Sequence, residues 1–406
     1  MKRLRFLPVL VTLMMAGALV GPMLPAHAAT VRVVDDDGSA LANNCDAAGP
    51  ASTTITAALA AAAPGDTIKV CPGVYNETPV VTKSVFIYGP QSNVPADTGT
   101  RTPGGPAEAT VQGDTTGTGG VGIFWVQVGN VTIAGFTVRN NPGGPGIQFQ
   151  GGTSTLAAQN NIVTNNTFGI YANGNTVTVS HNRIFGNNQN NAANGNGVYS
   201  DQGLTNASIG YNSFTNQANS GILIVGPPFV GGAVGPVSIA YNTITQSISG
   251  LSFFGGGGYQ VAYNTISNTT ADPINGNSGI FICDTTASTI ANNTLTKPNF
   301  SGIAVRDCGG APLSGLRLNN NTVTGAGKNG LDVTTASGGN AAQASYNTLT
   351  GNAADGILYG ASTNGNRVIG NTAKSNVGFD CHDLGTGNVW SSNKGTTSSP
   401  AGRCTP

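Results

Sequence analysis

Between residues 160 and 376 the chain repeats a polar–apolar unit, an asparagine followed two positions later by an apolar side chain. The asparagines are Asn160, Asn182, Asn212, Asn242, Asn264, Asn293, Asn321, Asn347 and Asn371. Two positions on stand Ile162, Ile184, Phe214, Ile244, Ile266, Leu295, Val323, Leu349 and Ala373, and only the last is not bulky. A glycine–apolar step follows each unit: Gly169-Ile170, Gly197-Val198, Gly221-Ile222, Gly250-Leu251, Gly279-Ile280, Gly302-Ile303, Gly330-Leu331, Gly356-Ile357 and Gly378-Phe379. Each step opens a short alternating run that reads as a strand. The intervals are too uneven for a helical repeat but suit stacked coils with loops of varying length. The pattern predicts an all-β, single-domain parallel β-solenoid with two or three short strands per coil, roughly a dozen coils at solenoid repeat lengths.

One such coil cannot bury its apolar face alone, whereas stacking sets Ile on Ile at about the 4.8 Å strand spacing. An asparagine at the same corner of each coil can bond the next coil and satisfy polar groups the turn would leave buried. It also tolerates a left-handed corner, and sixty glycines serve the same corners. In-register apolar positions speak against a disordered glycine-rich linker.

Residues 1–28 read as a secretory leader, with Lys2, Arg3 and Arg5, an apolar stretch from Phe6 to Val20, and the small-residue site Ala26-His27-Ala28. The apolar run is short for a membrane span, and no later segment is apolar enough to cross a bilayer. The expected location is therefore outside the cytoplasm: secreted, periplasmic or on the cell surface. Basic and acidic residues balance at 17 each, so losing the leader's cations leaves a slightly acidic chain with nothing to attract nucleic acid. Charged residues are only 8% of the chain, so Asn, Ser, Thr and Gln must solvate its surface, and such surfaces suit carbohydrate. Six cysteines in an exported chain point to disulfides. About fifteen connectivities exist for six cysteines. Chain order favours the local pairs Cys45–Cys71, Cys283–Cys308 and Cys381–Cys404, the first and last stapling the two ends.

The stretches Ile55-Thr56-Ala57-Ala58-Leu59, Pro64-Gly65-Asp66-Thr67-Ile68, Val70-Cys71-Pro72-Gly73-Val74-Tyr75 and Lys83-Ser84-Val85-Phe86-Ile87-Tyr88-Gly89 resemble the amino-terminal cap and first coils of secreted right-handed parallel β-helix proteins. With the repeats, the resemblance spans nearly all of the chain after its leader. It implies a cap and first coils over 29–115, β-helix repeats over 116–376 and a carboxy-terminal cap over 377–406. The implied superfamily is pectin-lyase-like, which includes pectate lyases, polygalacturonases, pectin methylesterases, alginate epimerases, tailspikes and non-catalytic surface proteins. One fold hosts several chemistries, so the site must be argued separately. The chain has no Trp-x-x-Asp-His, Gly-His-Gly, Arg-Ile-Lys or Gly-Arg-Pro-Trp signature.

If the apolar residue after each glycine points inward, the next residue and the one two beyond it face out. The first outer column then runs Gln148, Tyr171, Tyr199, Leu223, Ser252, Phe281, Ala304, Asp332, Leu358 and Asp380. The second runs Gln150, Asn173, Asp201, Val225, Phe254, Cys283, Arg306, Thr334, Gly360 and His382. Tyr171, Tyr199, Phe254 and Phe281 can stack on sugar rings, or pack beneath loops, and Asp332 joins them as a candidate substrate contact. The segments Asn187–Asn196 and Asn268–Ser278 are expected to rise beside this face. Asp284, Arg306 and Asp307 are the candidate catalytic group. Two carboxylates on adjacent coils can divide acid and base roles or hold Ca²⁺, while Arg306 meets a uronate; a plain salt bridge is the simpler reading.

Asp380, His382 and Asp383 read as a cap motif, and Phe379–Asp383 faintly resembles the Phe-Asp-Pro-His-Glu run of mannuronan C5-epimerases with Cys for Pro and Asp for Glu. His181 reads as a corner residue. Asp35, Asp36 and Asp37 can take Ca²⁺ or form a solvated turn. No cofactor is required by any of these groups. The sequence thus points to a carbohydrate-interacting protein with a polysaccharide or cell-surface glycan as partner, in catalytic form a lyase or hydrolase on an acidic glycan. The alternative is a structural or adhesive extracellular element. An accessory role in metal-site assembly ranks below both, since His and Met clusters are lacking.

Overall fold

The computed structural model describes residues 28–113, 120–187, 195–270, 278–309, 313–335 and 342–406. The leader, and most of the two segments expected to rise beside the outer face, lie outside these residues.

Every coil is a set of short parallel strands. One sheet stacks a strand from each level, from Val31–Val34 through Ser154–Gln159, Val237–Ala240 and Thr289–Ala291 to Val389–Ser391. A second stack consists of three-residue strands, among them Arg183–Phe185, Ser213–Thr215, Thr243–Thr245, Thr294–Thr296 and Thr372–Lys374. A third runs through Val198–Ser200, Ser220–Val225, Ser249–Phe254, Ile280–Cys283, Ile303–Arg306, Leu331–Thr334 and Ile357–Tyr359. The long strands Phe136–Phe149 and Ile162–Ala172 turn a corner and serve the second and third faces together. The chain is a parallel β-solenoid of about 10 turns, slightly fewer than the repeat length implied.

Inward positions stack as expected. Ile184 pairs with Phe214, Phe214 with Ile244, Ile244 with Ile266 and Ile266 with Leu295, all fully or almost fully buried. The asparagines form the corner ladder. Asn182 donates both its backbone N–H (3.0 Å) and Nδ2 (2.9 Å) to Asn212 Oδ1, and Nδ2 also reaches Ala158 O at 2.9 Å. The same three bonds recur in later coils; Asn371 donates to Asn393 Oδ1 from N and Nδ2, each at 2.9 Å.

The ladder begins one residue later than the sequence suggested. Asn161 is the buried rung, bonded to Asn182 Oδ1, and Val163 rather than Ile162 pairs with Ile184. Asn160 holds the left-handed corner at φ 54°, as do His181, Tyr211, Tyr241 and Tyr263 in the following coils. The left-handed residue is thus the one before the rung. On the outside those corner rings stack, His181 on Tyr211 at 5.1 Å, Tyr211 on Tyr241 at 4.9 Å and Tyr241 on Tyr263 at 5.1 Å between centroids.

The glycine column has a steric cause. A Cβ on Gly221 would stand 2.8 Å from Gly250 O and 2.8 Å from Ile244 Cγ2, and the equivalent glycines from Gly169 to Gly330 are blocked by the next coil's carbonyl in the same way. Asp380 ends this column, not Gly378: Ile357 pairs with Cys381, so the last coil is displaced by two residues from the expected register.

All three local disulfides are present, with Cα separations of 5.7 Å for Cys45–Cys71, 5.9 Å for Cys283–Cys308 and 5.8 Å for Cys381–Cys404. At the amino end the helix Ile55–Ala61 covers the open core, capped by Thr54 and by Glu77, whose carboxylate accepts from Ile55 N (2.7 Å) and Thr56 N (2.9 Å).

Candidate functional site

The third face carries the predicted outer columns in register. Trp125 pairs with Gln148, Gln148 with Tyr171, Tyr171 with Tyr199, Tyr199 with Leu223, Leu223 with Ser252, Ser252 with Phe281, and the column continues through Ala304 and Asp332 to Leu358. Beyond Leu358 stands His382, not Asp380, because of the shift in the last coil.

Tyr171 and Tyr199 lie stacked, their centroids 5.5 Å apart and their planes 18° from parallel, with the Phe168 ring against both. Both hydroxyls donate to one carboxylate. Tyr171 Oη bonds Asp201 Oδ1, and Tyr199 Oη bonds Asp201 Oδ2 at 2.8 Å. Burial, and then Asp201, push both phenols above their ordinary value, so both stay protonated donors at neutral pH. Asn173 fixes the turn that presents Asp201: its Oδ1 accepts from Ser200 Oγ (3.0 Å), Asp201 N (3.1 Å) and Gln202 N (2.9 Å). Two coils away Trp125 Nε1 is buried without a partner among the described residues. The sequence placed Tyr171, Tyr199 and Asp201 on this face but did not mark Asp201, because nothing in the chain says two phenols share it. Trp125 was missed altogether, although it alternates with buried Phe124 and Val126.

Phe254 and Phe281 form a second aromatic patch, 5.4 Å apart, and Phe229 meets Phe254 edge-on at 6.0 Å. Phe229 lies between strands and is 40% exposed.

The charged group is arranged differently from the expectation. Cys283 pairs with Arg306, bringing Asp284 and Asp307 to adjoining coils. Asp284 is buried with a left-handed backbone, and its Oδ1 accepts from Cys308 N at 3.0 Å. Asp307 Oδ1 accepts from Gly309 N at 2.9 Å. Arg306 makes a bidentate pair with Asp332, Nη1 to Oδ1 at 3.0 Å and Nη2 to Oδ2 at 2.7 Å. Asp332 faces outward by alternation yet is only 1% exposed, closed in by Arg306, Asn329 Nδ2 (2.9 Å), Thr334 Oγ1 (2.7 Å) and Ser301 Oγ (3.3 Å). Burial raises the Asp332 carboxyl, but the bonds and charge of Arg306, with Thr334 and Asn329, outweigh it and hold the group below its ordinary value. As a substrate contact, Asp332 has no open face left.

At the far end His382 Nδ1 meets Asp355 Oδ2 at 2.9 Å, and Asp383 pairs with Arg403 at 3.0 Å. Asp380 is buried in bonds from Asn376, Thr396 and Thr397, as a closing turn requires. At the amino end Asp36 and Asp37 accept from Val74 N and Ser39 N. Burial, then Asp37 and Asp36, push the Asp35 carboxyl up. Among the described residues no group of three or more His, Cys, Asp or Glu side chains is placed to hold a metal ion. A cavity of about 350 Å³ lies elsewhere, beside the buried Arg101–Glu108 pair.

A family model described as the right handed beta helix region matches residues 92–203 and 189–345, well over half of the chain. The chain belongs to that family. No curated protein matches this β-helix in sequence. Among solved structures it resembles the catalytic unit of the GH87 α-1,3-glucanase from Streptomyces thermodiastaticus strain HF3-3, with TM-score 0.69 and 17% identity over 90% of this chain and 69% of that one. The Dettilon tailspike protein matches with TM-score 0.52 and 15% identity, over 84% of this chain and 67% of that one. The GH136 lacto-N-biosidase from Eubacterium ramulus matches with TM-score 0.51 and 11% identity, over 91% of this chain and 67% of that one. At such identities the likeness is one of fold. No helix among the described residues of this β-helix is long and apolar enough to cross a membrane.

Proposed function

We propose that this β-helix is an exported carbohydrate-interacting protein whose binding surface is the third face between Trp125 and Phe281. The observation that carries the reading is the in-register run Trp125–Gln148–Tyr171–Tyr199, with both tyrosine hydroxyls anchored on Asp201. Aromatic rings with fixed polar edges are what a glycan requires: apolar area for its C–H faces and directed partners for its hydroxyls. A leader-like amino terminus and three disulfides support export. Two of the structural neighbours, an α-1,3-glucanase and a lacto-N-biosidase, act on carbohydrate by name.

Binding is favoured over cleavage. Elimination needs a free cation beside a uronate, and Arg306 is engaged by Asp332. Hydrolysis by paired carboxylates needs two that can approach one glycosidic bond, and Asp284 is buried.

The test is a panel of polysaccharides incubated with the full chain after leader removal, read by affinity electrophoresis, absorbance near 235 nm and reducing ends. The expected result is saturable retention by at least one glycan, weakened by Tyr171→Ala and Tyr199→Ala, with no absorbance rise. An absorbance rise abolished by Arg306→Ala in a still-folded chain would instead establish a lyase built on Arg306, Asp284 and Asp307. Retention by no glycan would overturn the carbohydrate reading and leave a structural or adhesive role.

A further inference from the structure

Between Arg183 and Lys297 the chain contains no Lys or Arg, and none stands between Arg139 and Arg183. The central coils therefore present the third face without a cation, including the segments that lead into and out of its strands. On the two outer columns from Trp125 to Cys283 the only ionisable side chain, apart from the two phenols, is Asp201.

Asp201 is held but not used up. A carboxylate offers about four lone-pair sites, and the two tyrosines take one on each oxygen. Among the described residues one site on each oxygen is left, on a residue that is partly exposed. Beneath it the fully buried Asn173 holds the Asp201 and Gln202 backbone in place through Oδ1. A carboxylate with an open site on each oxygen fits two adjacent hydroxyls. A uronate here would bring a second negative charge against Asp201 with nothing to neutralise either.

Resting on the reading above, we propose that the Tyr171–Tyr199–Asp201 cluster is a sugar subsite selective for uncharged glycans bearing a free pair of adjacent hydroxyls. Acidic polysaccharides are not its ligands.

The experiment measures binding of neutral plant and bacterial glycans beside polygalacturonate and alginate, using the full chain after leader removal. Neutral glycans are expected to bind at least tenfold tighter than either polyuronate, with affinity unchanged between about 0.01 and 0.15 M salt, since no ion pair forms. Periodate treatment, which cleaves adjacent diols, is expected to abolish retention of the bound glycan. Asp201→Asn should lose tenfold or more while the unfolding midpoint stays close to the parent, and Tyr199→Phe, which keeps the ring, should lose less. Tighter binding to a polyuronate, or a folded Asp201→Asn chain with undiminished affinity, would overturn the subsite while leaving carbohydrate binding intact. Binding to neither class would overturn the broader reading itself.

Discussion

Two carboxylates sit on the same face, Asp201 and Asp332, and the contrast between them separates a group used for the fold from one left open to a ligand. Asp332 is closed in on every side, two of its partners being the nitrogens of one guanidinium. Among the described residues the Asp201 carboxylate is met by two phenols alone, and the residue is partly exposed. Density of charge along the sequence pointed to the first, and spare hydrogen-bonding capacity points to the second.

The comparison breaks most sharply at Asp332. Replacing it with Ala leaves Arg306 half-sheltered without a counter-charge, and about 3–5 kcal/mol of stability should be lost in denaturant unfolding, with glycan affinity in the surviving folded fraction unchanged. Arg306→Ala should cost about 3 kcal/mol by stranding the Asp332 carboxylate, so it acts on stability rather than on turnover. An Arg306→Ala chain that unfolds like the parent would mean the pair is ornamental and the site assignment must move.

Acid offers a gentler version of the same cut. The folded Asp332 carboxyl lies below the ordinary 3.8, so its stabilisation is fully present above that value and is lost as pH falls through the folded value. Unfolding followed from pH 6 downward should therefore show a steep loss below about pH 4, flattened in Asp332→Asn. Asp380, also held low against its burial by Asn376 and Thr396, contributes in the same direction.

At the other region the effects are smaller and appear in binding. Tyr199→Phe removes one hydrogen bond that positions Asp201 but keeps the ring, and a loss of about 1 kcal/mol, roughly fivefold in Kd, is expected by calorimetry with a bound neutral glycan. Phe229→Ala removes only a half-exposed ring edge-on to Phe254, and a change of about 0.5–1 kcal/mol in affinity marks the outer limit of the site.

Periodicity carried the architecture because side-chain direction follows strand alternation directly, and the cysteines paired as their order implied. It failed by one residue at Asn160-Asn161, where two adjacent asparagines leave the phase open and only the buried rung tells them apart. It failed by two at the last coil, where Asp380 takes the glycine's place. Alternation also says which face a residue is on but not what lies over it. Asp332 was therefore legible as outward and illegible as buried, and Asp201 was legible as a position and not as a shared acceptor.

The asparagine ladder treats every rung alike: each side chain gives to the coil ahead and receives from the coil behind, and none depends on how many coils there are. Length is thus a free parameter for this molecule. A gene that duplicates or drops the segment between two rungs, such as Asn212 to Asn242, hands the ladder a matching joint on both sides, so a chain built this way can gain or lose a coil without redesigning its core.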